Sequence, residues 1–128
     1  MPTVRPTCRE LVEAVREFLE RDLLPEVDGP LSFKTRVSIN VVKIIERELT
    51  FGDAAEEAER ERLHGLLGRD GTREELNRAL CQHLRSEAQD VEDPRLIEHL
   101  RKTTIAKLSI DNPSYSSYLS AKQAADPR

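Results

Sequence analysis

The stretch from Phe33 to Leu49, FKTRVSINVVKIIEREL, does most to limit what this chain can become. It is the most apolar run in the sequence, and it outlasts the roughly 4–8 residues of a typical buried strand. At about 100° per residue, Phe33, Val37, Val41, Ile44 and Glu48 share one stripe, with Ile45 beside them. Val42 and Leu49 carry apolar surface onto the next face. A surface helix normally shows an apolar stripe of about 100°, so the wider one here predicts a helix packed against several neighbours. The charged finish Glu46-Arg47-Glu48 also favours a helix over a strand.

One edge of that stripe carries Arg36, Asn40, Lys43 and Arg47, spaced i, i+4, i+7 and i+11. Guanidinium forks bind carboxylate and phosphate oxygens bidentately, so the row can be read as an anion site. The competing reading is a ridge neutralised by carboxylates of neighbouring helices, since surface and structural ion pairs are common. Asp22, at the end of the first predicted helix, is one carboxylate that could answer it.

Composition narrows the class. Charged residues make up 34% of the 128 and aromatics 4%, with no Trp, which is an aliphatic, helix-forming mixture suited to one modest domain. Net charge is −4 with the signs interspersed, so the concentrated basic patch of a nucleic-acid binder is missing. No run approaches the roughly 20 apolar residues that span a bilayer. A signal-peptide pattern is also lacking. Cys8 and Cys81 make no disulfide framework, so the cytoplasm is the expected compartment.

In chain order, Thr7-Cys8-Arg9-Glu10 reads as a capping box that opens a first helix burying Leu11, Val15, Phe18 and Leu19. Pro25 and Asp28-Gly29-Pro30 mark a turn, and the central helix then covers about 31–50. Phe51-Gly52 ends it, Gly52 being free to take a left-handed cap. Asp53-Ala54-Ala55-Glu56 is a second capping box for a narrow-striped third helix placed on the outside. Thr72-Arg73-Glu74-Glu75 opens a fourth helix with Leu76, Ala79, Leu80, His83 and Leu84 on its face. Asp93-Pro94 starts a fifth, over about 94–110, with Leu96, Ile97, Leu100, Thr104 and Leu108 as its stripe. Pro113 pushes Asn112 out of the helical region and ends it. The reading is all-α: a five-helix bundle with a four-helix core and an irregular C-terminal tail. It is one domain over 1–128, with an ordered core about 7–118 and a flexible tail over 119–128.

Chemistry leaves few marks. Cys81-x-His83 directs its two side chains to opposite sides of a helix, and His64 and His99 stand alone, so no metal site is expected. Glu61-x-x-His64 is the sole local match to a di-iron motif. Cys8 sits in a capping turn with no His close in sequence to act as its base. Phosphate-loop and dinucleotide fingerprints are missing, and no cofactor is expected. What remains is a polar set on two helices: Arg36, Asn40, Lys43 and Arg47 from the second, then Lys107, Asp111 and Asn112 from the end of the fifth, with Tyr115 beyond. Such a set could be a site, or it could fix helix register and anchor the tail.

The two stretches FKTRVSINVVKIIEREL and LRKTTIAKLSIDNPSYSSY resemble a small bacterial family of unknown function, over Thr7 to about Tyr118. The resemblance implies a helical protein encoded beside acyl-CoA dehydrogenases and kinases of the aminoglycoside-phosphotransferase type. It implies an accessory role toward such an enzyme and supplies no catalytic residues. The alternative from a different class is a small-molecule binder or enzyme that takes an acyl-CoA or phosphorylated ligand on the polar set. Self-association through the wide apolar face is a third reading.

Overall fold

Helix starts follow the cap chemistry. In the computed structural model, which describes residues 4–125, the Thr7 hydroxyl accepts the Glu10 N–H at 3.2 Å and the Glu10 carboxylate accepts the Thr7 N–H at 3.4 Å. This closes the capping box and opens α1, Cys8–Glu17, which runs on through a π-helical turn, Phe18–Leu23, and a 3-10 turn, Leu24–Glu26. Helix α2 covers Gly29–Leu67, α3 Arg73–Arg85, α4 Pro94–Asp111 and α5 Ser116–Ala125. Thr72 accepts the Glu75 N–H at 3.1 Å ahead of α3, and Asp93 accepts the Arg95 N–H at 2.9 Å ahead of α4. Among the described residues every regular element is helical, so the all-α class holds.

Two of the expected boundaries are replaced. The second and third predicted helices are one continuous helix of 39 residues, and no cap forms at Asp53. A glycine inside a helix costs about 1 kcal/mol relative to alanine. Ending one helix and restarting another would orphan about four N–H and four C=O groups, which is dearer when both flanks are strong helix formers. The left-handed cap expected of Gly52 is taken by Gly68 (φ +69°), whose N–H donates to the His64 carbonyl at 2.8 Å. The irregular C-terminal tail is likewise corrected: Ser116–Ala125 form α5, because Tyr118, 7% exposed, docks the segment back onto the fold. The rest of the predicted tail, 126–128, lies outside the described residues.

Packing divides the chain into two compact units, one ending at Gly52 and one beginning at Asp53. In the C-terminal unit Leu63, Leu76, Leu80 and Leu96 form a buried cluster, with Leu66, Leu67 and Leu84 packed against it. The predicted third helix is therefore not an outer element; its Leu63 is 0% exposed. The stripe predicted for α3 holds, with Leu76, Ala79 and Leu80 buried. On α4 only part of the predicted stripe is used, since Leu96 is buried while Ile97 and Leu100 stay open.

The N-terminal unit is built differently. Its only buried side chains among the described residues are Thr35, whose hydroxyl donates to the Leu31 carbonyl at 2.7 Å, and Ile39. Leu11, Val15 and Phe18, expected to be core, are each more than half exposed. So is Phe33 at 68%, and Val37, Val41, Ile45 and Leu49 follow it along α2, all open. The central stretch is thus not packed on several sides. Thr35 and Ile39 are the residues enclosed, and the apolar ridge stays open.

Candidate functional site

The basic ridge of α2 is partly neutralised within its own unit. Arg16 of α1 bonds Glu46 through Nε and Glu20 through Nη1, the latter at 3.2 Å. Lys43 Nζ reaches the same Glu20 oxygen at 3.6 Å. Glu20 stands in the π-helical turn, and its carboxyl is held below the ordinary carboxylate range, first by the Arg16 hydrogen bond and then by the Lys43 charge. The carboxylate answering the ridge is therefore Glu20, and Asp22 is exposed. Arg47 is half-buried, while Arg36 and Asn40 face solvent.

The other half of the predicted set lies in the C-terminal unit. Lys107, Asp111 and Asn112 are exposed at the end of α4. Asn112 works as the C-cap: its N–H donates to the Leu108 carbonyl at 2.8 Å, and its own carbonyl accepts the Tyr115 N–H at 3.1 Å. Tyr115 borders an apolar groove of about 400 Å³ between α4 and α5, lined also by Leu100, Thr104, Ile105, Leu108 and Tyr118. The Thr104 hydroxyl donates to the Leu100 carbonyl at 2.8 Å, so the one threonine of this wall is satisfied within its own helix.

A second polar cluster in this unit escapes the sequence reading. Arg62 of α2 donates from Nε to His99 Nδ1 at 3.2 Å and from Nη2 to Thr103 Oγ1 at 3.0 Å, both on α4. Glu59, one turn earlier and buried, meets Arg73 Nη1 of α3 at 3.5 Å. A guanidinium only donates, so Nδ1 of His99 supplies the lone pair and the ring proton resides on Nε2. His99 is 3% exposed. Burial, reinforced by the Arg62 charge and opposed by Glu59, pushes its pKa below the usual histidine value. The imidazole is therefore neutral near pH 7 with its basic nitrogen already engaged. It can donate a hydrogen bond, but it is poorly set up to accept a proton from a substrate.

Arg62 and His99 border a cavity of about 460 Å³ lined also by Gly65, Leu66, Pro94 and Arg95. The signal that could have found this cluster is periodic. Glu59, Arg62, Leu63 and Leu66 follow i, i+3, i+4, i+7, and Leu96, His99 and Thr103 follow i, i+3, i+7. The polar members share faces with the core leucines. Both cysteines are exposed, and no group of three His, Cys, Asp or Glu among the described residues could hold a metal ion. No helix among them is long and apolar enough to cross a membrane.

A family model described as a domain of unknown function, DUF6285, matches residues 25–115. The chain belongs to that family. No curated protein and no solved structure matches it. The matched range begins at the 3-10 turn and ends at Tyr115, so it takes in α2, α3, α4, both halves of the predicted polar set and the Glu59/Arg62/His99 cluster.

Proposed function

We propose that the chain is a non-enzymatic helical accessory protein that docks a partner protein in the groove between α4 and α5. What carries the reading is the groove itself. It is apolar, and Leu100 and Tyr115 on its walls stay open, as do Ile97 and Leu119 on the two helices that form it. Grooves of this kind accept the anchor side chains of an amphipathic helix. The engaged lone pair of His99 weighs against a role for it as a catalytic base. The family resemblance suggests an acyl-CoA dehydrogenase-like or phosphotransferase-like kinase as the partner.

The test is titration of the purified chain against each such neighbour-encoded enzyme by calorimetry. Saturable 1:1 binding that is weakened about tenfold or more by Leu100→Glu supports the reading, tenfold corresponding to about 1.4 kcal/mol. Absence of heat and of co-elution with either enzyme sinks it.

A second reading draws on the cavity beside Arg62, Arg95, Glu98 and His99. Guanidinium N–H groups there that are not engaged with His99, Thr103 or Asp93 could bind the phosphate or carboxylate of a small ligand such as an acyl-CoA, against the opposing charge of Glu98. A thermal-shift series with CoA esters and nucleotides separates the two, because ligand binding to the native state raises the melting temperature by mass action.

A further inference from the structure

The face of α2 in the N-terminal unit takes no part in the docking reading above. Phe33, Val37, Val41, Ile45 and Leu49 recur every fourth residue and are 43–68% exposed. Side chains four apart form a continuous ridge inclined to the helix axis. Ile39 is the sole buried apolar side chain among the described residues of this unit, so the ridge is surplus to its internal packing. An apolar run of this extent left open on a small unit is normally an interaction surface.

The pattern is symmetric about Val41. Reversing the helix direction about that residue sets Phe33 against Leu49 and Val37 against Ile45, with Val41 opposite its own equivalent. Lys34 and Glu48, which flank it, follow the same symmetry with opposite sign. Lys34 lies as far before Val41 as Glu48 lies after it. Lys34, Arg36 and Glu48 are exposed, and no ion pair joins them to other described residues. A parallel pairing would set Lys34 against Lys34 and Glu48 against Glu48, whereas an antiparallel one brings Lys34 of one ridge to Glu48 of the other.

We propose that the Phe33–Leu49 ridge pairs antiparallel with the same ridge of a second copy of this chain, on a two-fold axis at Val41. A closed two-fold interface of this kind is self-complementary by construction, which matches a pattern whose two halves mirror each other.

Sedimentation of the full chain tests it. The wild type runs as a dimer at micromolar concentration, and Val41→Glu runs as a monomer with unchanged far-UV circular dichroism. Lys34→Glu and Glu48→Lys each weaken the dimer about tenfold, and the double reversal Lys34→Glu/Glu48→Lys restores it. Because substitutions can disturb folding, a second measurement uses Val41→Cys in a Cys8→Ser/Cys81→Ser background. A short thiol cross-linker joins two copies through Val41→Cys, while Phe33→Cys in the same background, placed opposite Leu49, does not cross-link to itself. A monomeric wild type, a dimer indifferent to Val41→Glu, failure of the double reversal, or a ridge protected only in complex with a different protein each overturns the proposal.

Discussion

The two units of this chain use similar aliphatic residues to opposite ends. From Asp53 onward, leucines of α2, α3 and α4 bury one another almost completely, and the charged groups among them are paired across helices: Arg62 with His99 and Thr103, Arg73 with Glu59. Up to Gly52, Phe33, Val37, Val41, Ile45 and Leu49 of α2 line an open ridge, while Glu46 and Lys43 of the same helix pair with Arg16 and Glu20 of the helical segment before it. Apolar content therefore predicts which face of a helix is sticky but does not say what covers it. One unit is closed by its own chain, and the other presents its stickiest surface outward.

Four measurements would break or sharpen that contrast. The largest effect belongs to Leu63→Ala, which leaves a cavity at a fully enclosed site and should cost about 2–5 kcal/mol in urea unfolding. Val37→Ser on the open ridge, measured at dilution, should stay within about 0.5 kcal/mol; equal losses for the two would erase the difference between the units. Next comes Arg62→Ala, which strands the His99 nitrogen and should lose about 1–3 kcal/mol.

Third is the response to acid. All three histidines lie in the C-terminal unit, and His99 has a lowered folded-state pKa. Its contribution to stability is complete above the unfolded value of about 6.5 and declines as pH falls from there toward the folded pKa. Glu20 in the N-terminal unit has a lowered carboxyl pKa, so its contribution is present above the usual carboxylate value and is lost only at more acid pH, through its folded pKa. Hydrogen exchange between pH 7 and 5 should therefore loosen the C-terminal unit first, and His99→Phe should flatten that slope. Loosening of α1 ahead of α4 in this window would contradict the assignment.

The smallest effect is a gain. Gly52→Ala should stabilise α2 by about 0.5–1 kcal/mol. The new methyl would approach the Glu48 carboxylate, a flexible group that can swing aside. Thermal melting reads the shift; a loss would mean that Glu48 cannot move.

Much of this was legible in the amino-acid order. Thr7, Thr72 and Asp93 announce helix starts because a short oxygen-bearing side chain ahead of a helix-forming run has few better uses. Asn112 before Pro113 announces an end for steric reasons. The fusion of the second and third predicted helices was not legible, since Phe51-Gly52-Asp53 reads locally as stop and start while the balance is struck over the whole of α2. The helix that Tyr118 anchors, α5, was not legible, because the sequence around it is weakly patterned. Of the candidate site, the pairing of Lys43 with an acidic neighbour was foreseeable from charge, though the π-helical turn that offers Glu20 was not. His99 was discounted as solitary because its partner Arg62 is 37 positions away in sequence.

The regular spacing of Phe33, Val37, Val41, Ile45 and Leu49 has a consequence for how such a chain can vary. Exchanging one aliphatic residue for another keeps the ridge continuous, so substitutions there should be absorbed readily. Adding or removing a single residue would turn everything beyond it by about 100° and sever the line. Length changes in this protein and its relatives should therefore collect in the connections around Arg69–Asp70 and Glu87–Val91, while the segment from Phe33 to Leu49 keeps a fixed length even where its letters drift.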